Sequence, residues 1–335
     1  MTTGLEKILH EFRHKKILVV GDMVLDQFLY GEIARVSREA PVLILRHTRT
    51  ECTAGSGGNA AMNLRSLGAE VVPIGLVARD VSGRRLEGLF RNAGIATTGL
   101  VHSKLRQTTT KTRIMGGLAH SSAQQMVRVD EENEGPISSK LQRAIIGKIQ
   151  EHLPGCHAVV ISDYGYGVIG SAVMERLVRA SRARAIPLVV DSRFRMHQFH
   201  HVSAITPNVT EVEEAYDCRL DNDLAAIEAK TREIVASQSL EALLVTRGKF
   251  GMSLLVRGQK MQHIPIFGSD QVADVTGAGD TVIAAFTLSL AAGAGYLDAA
   301  RLSNYAGGLV VMKRGTATVS LAELHQAIRK DAASR

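Results

Sequence analysis

The sequence predicts an α/β protein built on a doubly wound, mainly parallel β-sheet with helices on both faces. Strand-like and helix-like segments alternate along most of the 335 residues, which is the pattern of that architecture. The run KILVVGD (16–22) is continuously apolar before its Gly-Asp end, as is typical of a strand buried on both faces of a parallel sheet. Several later strand-like runs end in polar, glycine-containing segments such as SDYGYG (162–167). Ligands bind at the carboxyl ends of strands in such sheets.

The first half of the chain contains two kinds of predicted β segment. The buried strand at 16–22 is followed by residues 31–52, which alternate in part between polar and apolar residues and carry an early proline. We interpret these as exposed strands that project from the main body. The β-like runs at 108–115 and 124–130 follow later. We expect a small β lid formed by about 31–52 and 108–130, within a single domain over the whole chain.

Helices and buried strands account for most of the remaining sequence. Helical spacing, in several cases with a glycine stop, predicts helices at 59–69, 82–94, 138–152 and 171–184 and across 210–237. Apolar runs predict strands at 70–78, 157–165, 187–191, 203–208, 242–248 and 252–258. The uncharged run 281–297 falls short of a membrane span and predicts a buried helix, and two helices are expected to close the chain.

The composition limits the classes of function. The chain has 40 basic and 33 acidic residues, and its net charge of +7 suits an anionic ligand. Aromatic residues make up only 4% of the sequence, and no basic run is concentrated, so we expect no nucleic-acid partner. Three widely spaced cysteines form neither a metal pair nor a disulfide framework, which favours a reducing cytoplasm. The N-terminal segment lacks an apolar signal region, and we expect no membrane partner.

The stretch DVTGAGD (274–280) places two carboxylates around a bare glycine turn, just before an apolar helix. Glycines allow backbone amides to crowd around an anion, and a helix N-terminus adds positive potential. Asp280, in the first turn, could accept the proton of a hydroxyl that attacks phosphorus. Taken alone, an Asp N-cap after a glycine turn is the commoner interpretation.

Two other segments strengthen the phosphoryl-transfer hypothesis. In TPNVTEVEE (206–214), Asn208 and Glu211 lie three residues apart at a helix start, which suits a hydrated Mg²⁺ near phosphates but equally a plain capping box. In AGSGGNAAMN (54–63), a glycine turn could bring Asn59 to a polyol, or it could be an ordinary loop.

Basic side chains on the projecting β runs are candidates for a substrate phosphate, although a solvated face is the commoner explanation for scattered charges. They are Lys111, Arg113 and Arg128. No Walker-type phosphate loop is present in the sequence. Two histidine clusters, HEFRH (10–14) and HQFHH (197–201), are interpreted as coincidental and not as zinc sites, because the first precedes the first strand in a polar segment and the second lacks acidic or Cys partners.

Together these motifs resemble the ribokinase (PfkB-type) carbohydrate kinases over nearly the whole chain, and within that family the heptose 7-phosphate kinases. DVTGAGDTVIAAF is similar to the family's C-terminal signature almost letter for letter. The other similar stretches lie between residues 19 and 320: VVGDMVLDQFLYG, RVSREAPV, AAMNLRSLGA, TKTRI, QQMVRVD, SDYGYG, TPNVTEVEE, ALLVTRGKFGMSLL and KRGTATVS. The chain ends soon after the last predicted helix, so we expect a stand-alone kinase without a nucleotidyltransferase half.

The resemblance implies an ATP-dependent and Mg²⁺-dependent sugar kinase that phosphorylates O1 of a heptose 7-phosphate, a precursor of ADP-heptose and of the lipopolysaccharide core. Asp280 matches the family's catalytic base. The amides that match its anion hole belong to Gly277, Ala278 and Gly279. Asp274 and the loop 313–315 correspond to a region that holds a monovalent cation such as K⁺ in relatives.

The resemblance also assigns the two substrates. Asn208 and Glu211 match the Mg²⁺–phosphate motif, with Glu211 toward the metal, while Thr246, Gly248 and Asn304 match the nucleotide side. The residues that match sugar-hydroxyl contacts are Asp26, Gly55, Ser56 and Asn59. The residues on the sugar-phosphate side are Lys111, Arg113, Arg128 and Asp163. In relatives the lid often forms a dimer contact, so a homodimer through the lid is implied.

The chain departs from the heptose kinase pattern at three points. Ser56 replaces a glycine, Tyr166 replaces a lysine, and Arg193 stands where the pattern has a lysine. Arginine still binds phosphate, although with a planar fork in place of a point charge, whereas Tyr166 supplies no charge. Two alternatives therefore stay open: a kinase for another sugar, sugar phosphate or nucleoside, and a non-catalytic regulatory protein that binds a sugar phosphate.

Overall fold

The computed structural model describes residues 2–117, 123–133, 135–268, 273–313 and 315–334. Within these ranges the helices are α1 Thr2–Glu11, α2 Gly57–Ser66, α3 Val81–Asn92, α4 Ser139–His152, α5 Ser171–Arg184, α6 Val209–Tyr216, α7 Leu224–Ser237, α8 Ala278–Ala291, α9 Tyr296–Val310 and α10 Leu321–Ser334. No helix in the described part of the chain is long and apolar enough to cross a membrane.

The strands are named in the same way. They are β1 Lys16–Gly21, β2 Met23–Val36, β3 Leu43–Ser56, β4 Glu70–Ile74, β5 Leu76–Ala78, β6 Val101–Ser103, β7 Thr110–Gly117, β8 Gln124–Glu131, β9 Ala158–Asp163, β10 Leu188–Ser192, β11 Ala204–Ile205, β12 Ala242–Thr246, β13 Met252–Val256 and β14 Gln262–Ile264.

The main sheet confirms the predicted fold class. Its eight strands run in the order β14-β13-β12-β11-β10-β9-β1-β4. The six strands from β12 to β4 pair in parallel, and β13 and β14 add an antiparallel edge. Because the chain crosses between parallel strands through helices, the carboxyl ends of β1, β9, β10, β11 and β12 meet at one edge.

Both faces of this sheet are covered by helices. In β1, Ile17 and Val19 belong to one hydrophobic core, whereas Leu18 and Val20 belong to the other, as expected when successive side chains point to opposite faces. Buried residues of α1, α2, α3, α8, α9 and α10 complete the first core. Those of α4, α5, α6 and α7 complete the second. This arrangement accounts for the continuous apolar run at the start of the sequence.

A separate four-stranded sheet, ordered β3-β2-β7-β8, forms the lid. Strand β2 pairs antiparallel with β3 and parallel with β7, and β7 pairs antiparallel with β8. The lid strands extend beyond the predicted range 31–52, since β2 begins at Met23 and β3 ends at Ser56. The first residues of β2 are buried in the main body, whereas the far part of β3 is largely exposed. The same two strands thus join the lid to the body.

Three local predictions were wrong. The run 281–297 is not one helix, because α8 ends at Ala291 and α9 begins at Tyr296 after a turn in which Gly293 has φ +89°. The N-terminal segment is not merely polar, since α1 buries Leu5 and Leu9 in the first core. The strand predicted over 70–78 is two strands, and β5 pairs with β6 outside the main sheet.

Candidate active site

Asp280 lies at the carboxyl edge of the main sheet, in the first turn of α8. Gly277 precedes this helix with φ +77°, a left-handed conformation that favours glycine. The Asp280 carboxylate is only 4% exposed. Its Oδ2 accepts a hydrogen bond from Asn59 Nδ2 at 2.8 Å, and its Oδ1 accepts one from the Tyr164 hydroxyl at 3.2 Å. The glycine turn therefore places the buried Asp280 carboxylate within hydrogen-bond distance of Asn59 and Tyr164.

The protein environment stabilises the protonated form of Asp280 relative to the same carboxyl group in water. Burial raises the pKa of Asp280 to about 7, although the hydrogen bonds from Asn59 and Tyr164 lower it and nearby Asp26 and Glu211 raise it. A carboxylate with a pKa close to neutral is suited to accept a proton in general base catalysis.

Asn59 is held in one orientation by a chain of hydrogen bonds. Its Oδ1 accepts from Asn63 Nδ2 at 3.1 Å, and Asn63 Oδ1 in turn accepts from Thr281 Oγ1 at 3.0 Å. This chain of hydrogen bonds orients the amide nitrogen of Asn59 toward the carboxylate of Asp280, to which it donates. The sequence predicted a sugar contact for Asn59 and did not predict this contact.

The glycine turn before α8 presents backbone N–H groups beside this acid. A Cβ atom on Gly277 would lie 2.4 Å from Asn59 Nδ2, so only glycine fits without displacing that amide. The Ala278 N–H donates to Val275 O at 3.2 Å. Within the described residues, the N–H groups of Gly277 and Gly279 donate to no other residue. Two of the three predicted anion-hole amides are therefore available to a ligand.

Asp274 holds the start of the same turn. Its Oδ1 accepts from the Thr276 N–H at 2.9 Å and its Oδ2 from the Gly315 N–H at 3.0 Å. Burial alone would raise its pKa, but these hydrogen bonds hold the pKa of Asp274 below its usual value. Asp274 thus stays ionised beside the loop 313–315, of which residue 314 lies outside the described residues.

The predicted nucleotide residues come together at the ends of β11 and β12. Asn208 caps α6 through a capping box: its Oδ1 accepts from the Glu211 N–H at 2.8 Å, and Glu211 Oε2 accepts from the Asn208 N–H at 2.9 Å. Asn208 also forms a parallel bridge with Thr246. Gly248, two residues on, has φ +54° and open space around its Cα. The segment can therefore be a capping box and still bind Mg²⁺ near phosphates, because the cap uses Glu211 Oε2 and leaves Oε1 outside it.

An excess of acidic groups surrounds Glu211. Burial raises the pKa of Glu211. Asp191, at the end of β10, has its pKa raised well above the usual value by burial and by neighbouring Glu211, Asp280 and Asp163. Such a concentration of carboxylates fits a divalent cation, and Mg²⁺ is commonly held by one or two carboxylates plus substrate phosphates. In the described part of the chain, no group of three or more His, Cys, Asp or Glu is arranged to hold a metal by itself.

Asn304, on α9, lies apart from these residues. It is 7% exposed and donates through Nδ2 to Pro265 O at 2.8 Å. It also lines a cavity of about 220 Å³ together with Pro265, Phe267 and Tyr305. The lining of this cavity is part polar and part apolar, and its aromatic side chains are compatible with the predicted adenine side.

The predicted sugar residues meet where the lid joins the body. Asp26, on β2, pairs with Arg113 of β7, so Arg113 is occupied by a carboxylate within the protein. A Cβ atom on Gly55 would lie 2.2 Å from Asp26 Oδ2, which explains the glycine there. Ser56 adopts φ +53° with ψ −130°, a conformation that costs a residue other than glycine about 1 kcal/mol or more. The departure from glycine at this position thus has a structural cost.

Lys111 is the most buried of the three basic residues predicted to face the sugar phosphate. It is 9% exposed, and its Nζ lies 5.7 Å from the Tyr164 ring centre and 5.6 Å from that of Tyr166. Burial lowers the pKa of Lys111, whereas nearby Asp26 and Asp130 raise it and Arg193 lowers it further. No ion pair within the described residues neutralises it. A buried ammonium without a partner is costly, and an anionic ligand would supply that partner.

Two other predicted phosphate residues already have partners. Arg128 donates from Nε to Asp130 Oδ1 at 2.9 Å on the exposed strand β8. Asp163 is 1% exposed, pairs with Arg195 and accepts from Ser192 Oγ at 2.8 Å. The Asp163 carboxylate therefore anchors the loop after β10 and is already engaged by side chains of the protein.

Sequence reasoning missed the residues that organise the loop after β9. Asp22, directly after β1, accepts from the backbone N–H groups of Tyr164 at 2.8 Å and Tyr166 at 3.2 Å. Burial raises the pKa of Asp22 to about 6, with nearby Asp163 contributing. The Gly-Asp ending of the first strand was visible in the sequence, but its partner loop lies about 140 residues away. Tyr164 itself lay within SDYGYG without an assigned part.

The histidine clusters lie away from this site. His10 is exposed on α1 and its ring faces that of His325 with centroids 5.8 Å apart, while His14 is exposed just before β1. His197, His200 and His201 are exposed near the amino end of β11.

Comparison with known proteins agrees with the family resemblance seen in the sequence. The family model described as pfkB family carbohydrate kinase matches residues 14–323. The chain is 39% identical over 314 residues to the bifunctional protein HldE of Desulfatibacillum aliphaticivorans, covering 93% of the chain and 63% of that relative. It is 39% identical over 308 residues to the HldE protein of Geobacter sulfurreducens, covering 92% of the chain and 61% of the relative. The chain thus spans a little under two thirds of these relatives.

Solved structures agree on the fold. Phosphofructokinase-2 from Escherichia coli, in complex with substrates and products, superposes with a TM-score of 0.76 at 18% identity, covering 94% of this chain and 99% of the other. Arabidopsis thaliana ribokinase, complexed with ribose and ATP, gives a TM-score of 0.69 at 17% identity, covering 94% and 97%.

Proposed function

The chain belongs to the pfkB family of carbohydrate kinases, and from this premise we propose that it transfers the γ-phosphoryl group of ATP to O1 of a heptose 7-phosphate. Membership makes the protein a sugar phosphotransferase. The heptose assignment rests on the motif resemblance and on relatives that are bifunctional HldE proteins. Such a reaction would supply a precursor of ADP-heptose for the lipopolysaccharide core in the cytoplasm.

The buried Asp280 at the start of α8 carries the mechanistic proposal. Asp280 accepts the proton of the acceptor hydroxyl as that oxygen attacks the γ-phosphorus and the bond to the β-phosphate oxygen of ATP breaks. A pKa near 7 lets Asp280 be ionised in a large fraction of molecules at neutral pH. Asn59 Nδ2 holds the carboxylate in place during this transfer.

The turn before α8 stabilises the charge that develops on the transferring group. The N–H groups of Gly277 and Gly279 are available, and the helix N-terminus adds positive potential. The Ala278 N–H, which the family pattern also includes, donates to Val275 O and would need to exchange partners.

Nucleotide and cations are assigned to the neighbouring strand ends. Asn208, Glu211, Thr246 and Gly248 would face the ATP phosphates, and Asn304 the adenine side. Glu211 would hold Mg²⁺, which offsets phosphate charge when bound. Asp274, ionised beside the loop 313–315, would support a monovalent cation such as K⁺. Replacing K⁺ by a large organic cation should lower the rate; an unchanged rate would contradict this part.

The acceptor would bind between the lid and the body. Asp26, Gly55 and Ser56 line the sugar side, and Lys111 is the cation we assign to the acceptor phosphate. Arg128 stays a candidate, although it is paired with Asp130. Asp163 and Arg113 have protein partners in this structure, so their predicted contacts would be indirect.

We propose that the lid also mediates a homodimer. Its exposed apolar side chains are Val36, Val42, Leu43, Met126, Val127 and Val129, each at least 42% exposed. Apolar surface of this kind on a sheet is typical of an interface. A charged substitution such as Val127→Lys should convert a dimer to a monomer in sedimentation analysis, and a monomeric parent protein would contradict the proposal.

An acceptor panel tests the substrate assignment. ADP release is measured with heptose 7-phosphate, fructose 6-phosphate, ribose and a nucleoside, at equal concentrations. We expect kcat/KM to be highest for heptose 7-phosphate. The second candidate, a kinase for another sugar phosphate, is favoured by Tyr166 and Arg193 and would be supported if fructose 6-phosphate were the better acceptor. No release with any acceptor would support the regulatory alternative.

A further inference from the structure

Tyr164 contacts the proposed base Asp280 but takes no part in the proposed proton transfer. It follows β9 directly, in the loop that faces the first turn of α8, and it is half-buried there. Its hydroxyl donates to Asp280 Oδ1 at 3.2 Å, while Asn59 Nδ2 donates to Oδ2 at 2.8 Å. Both oxygens of the acid are therefore held by neutral donors from two different segments.

The backbone around Tyr164 is fixed independently of its side chain. The Asp22 carboxylate accepts from the N–H groups of Tyr164 at 2.8 Å, Tyr166 at 3.2 Å and Val168 at 3.4 Å. A single buried acid thus sets three amides of the loop. These hydrogen bonds fix the backbone from which the Tyr164 side chain reaches Asp280.

Tyr164 is suited to donate a hydrogen bond and not to transfer a proton. Burial and the neighbouring Asp280 raise the pKa of Tyr164 well above its usual value. The phenol therefore keeps its proton across the range in which enzymes work. In the proposed reaction the proton of the acceptor hydroxyl moves to Asp280, and Tyr164 stays protonated throughout.

Resting on the proposed function, we propose that Tyr164 is a positioning residue that stabilises the ionised form of Asp280 and fixes the orientation of its carboxylate. A hydrogen bond to an ionised carboxylate favours that form over the protonated acid. Without the Tyr164 hydroxyl, Asp280 would hold its proton at higher pH, and less of the enzyme would be competent to accept the acceptor proton.

Other charged groups also face Asp280 and would act in both the parent and the variant protein. Asp26 on β2 and Glu211 on α6 raise its pKa, and Asp191 on β10 lies close enough for its own pKa to be raised by Asp280. Lys111 and Arg113 of β7 lie beyond Tyr164 and Asp26, respectively. Because these groups are untouched, a change on removing the hydroxyl alone reports the Tyr164 contact.

The test compares the pH dependence of kcat/KM for the parent protein, Tyr164→Phe and Tyr166→Phe at saturating Mg²⁺. Tyr166 is the matched control, since its hydroxyl lies in the same loop but donates to Glu132 at 2.6 Å. We expect the acid limb of Tyr164→Phe to move up by about one pH unit, which lowers kcat/KM at pH 7 about fivefold. Tyr166→Phe should keep the parent acid limb. An unmoved acid limb in Tyr164→Phe overturns the proposal.

A second readout does not need turnover. Infrared difference titration of the parent protein against Asp280→Asn isolates the Asp280 carboxyl band, and the same pair in a Tyr164→Phe background gives its pKa without the hydroxyl. A higher pKa supports the contact even if no sugar is phosphorylated, in which case only the proposed function fails. An unchanged pKa in an active kinase overturns the positioning role alone.

Fluorotyrosine at position 164 covers the case in which Tyr164→Phe does not fold. The fluorinated phenol is more acidic and a stronger donor, so the acid limb should move to lower pH. An unmoved limb with fluorotyrosine overturns the proposal in the same way.

Discussion

Gly277 offers a sharp test of how the glycine turn supports Asp280. The substitution Gly277→Ala would place a Cβ atom 2.4 Å from Asn59 Nδ2 and 3.3 Å from Thr316 Cγ2. Real Cβ atoms do not approach a nitrogen so closely, so the Asn59 amide must move. Because that amide donates to Asp280 Oδ2 at 2.8 Å, the substitution breaks the better of the two hydrogen bonds to the acid.

Two effects of known size follow. Alanine at φ +77° costs about 1–2 kcal/mol of folding stability in the left-handed region. Loss of a hydrogen bond to a charged group costs about 1.5–3 kcal/mol. Since the Asn59 hydrogen bond lowers the pKa of Asp280, its loss raises that pKa by roughly one unit or more. We therefore expect kcat/KM at pH 7 to fall at least about fivefold.

Gly293→Ala is the matched control for this variant. Gly293 has φ +89° in the turn between α8 and α9, and a Cβ atom there meets nothing within 4 Å. Thermal unfolding and kcat/KM are measured for both variants. Gly293→Ala should lose about 1–2 kcal/mol of stability. Gly277→Ala should lose more, because it also loses the Asn59 hydrogen bond, and only Gly277→Ala should lose activity. Parent-like kcat/KM in Gly277→Ala, or an equal loss in Gly293→Ala, would refute the reasoning.

Three further predictions concern single side chains. Ser56→Gly should raise the free energy of unfolding by about 1 kcal/mol, because φ +53° suits glycine; unchanged or lower stability in denaturant unfolding would count against it. Asp280→Asn should be more stable than the parent at pH 8 by on the order of 1 kcal/mol or more, because a folded pKa raised to about 7 makes the ionised acid destabilising. This difference should fade as the pH falls from 7 toward 4, and a pH-independent difference in thermal unfolding would contradict the linkage. Lys111→Met should raise KM for the sugar phosphate about tenfold or more with a smaller change in kcat; an unchanged KM would remove Lys111 from the phosphate side.

The fold could be predicted because its signals are local. Continuous apolar runs, helical spacing and glycine stops depend on neighbouring residues, and the main sheet follows them closely. The failures are equally local. The run 281–297 is uncharged throughout, so its hydrophobicity predicted one continuous helix, whereas the chain turns at Gly293 between α8 and α9. In the N-terminal segment, Leu5, Ile8, Leu9 and Phe12 follow helical spacing that the interpretation as a polar segment overlooked, and α1 buries Leu5 and Leu9 in the first core.

The site was only partly predictable, for a different physical reason. Motif resemblance singled out Asp280, Asn208 and Glu211 as candidates, and each lies in a short contiguous stretch of sequence. The partners that tune these residues come from distant parts of the chain: Asn59 is 221 residues from Asp280, and Tyr164 is 116. Nothing in the sequence tells which of the polar side chains at the strand ends will face one another. The occupied carboxylate of Asp163 and the unpaired ammonium of Lys111 follow from tertiary packing alone.

The most direct test of the central claim is the steady-state rate of Asp280→Asn with ATP, Mg²⁺ and the best acceptor of the panel. Asparagine keeps the size, and its single side-chain oxygen can accept the hydrogen bond of either Asn59 or Tyr164, but it cannot take a proton. We predict that kcat falls by about 10² to 10⁴, as is usual on loss of a general base, while KM for both substrates changes little. Near-normal turnover in a folded Asp280→Asn protein would contradict the account.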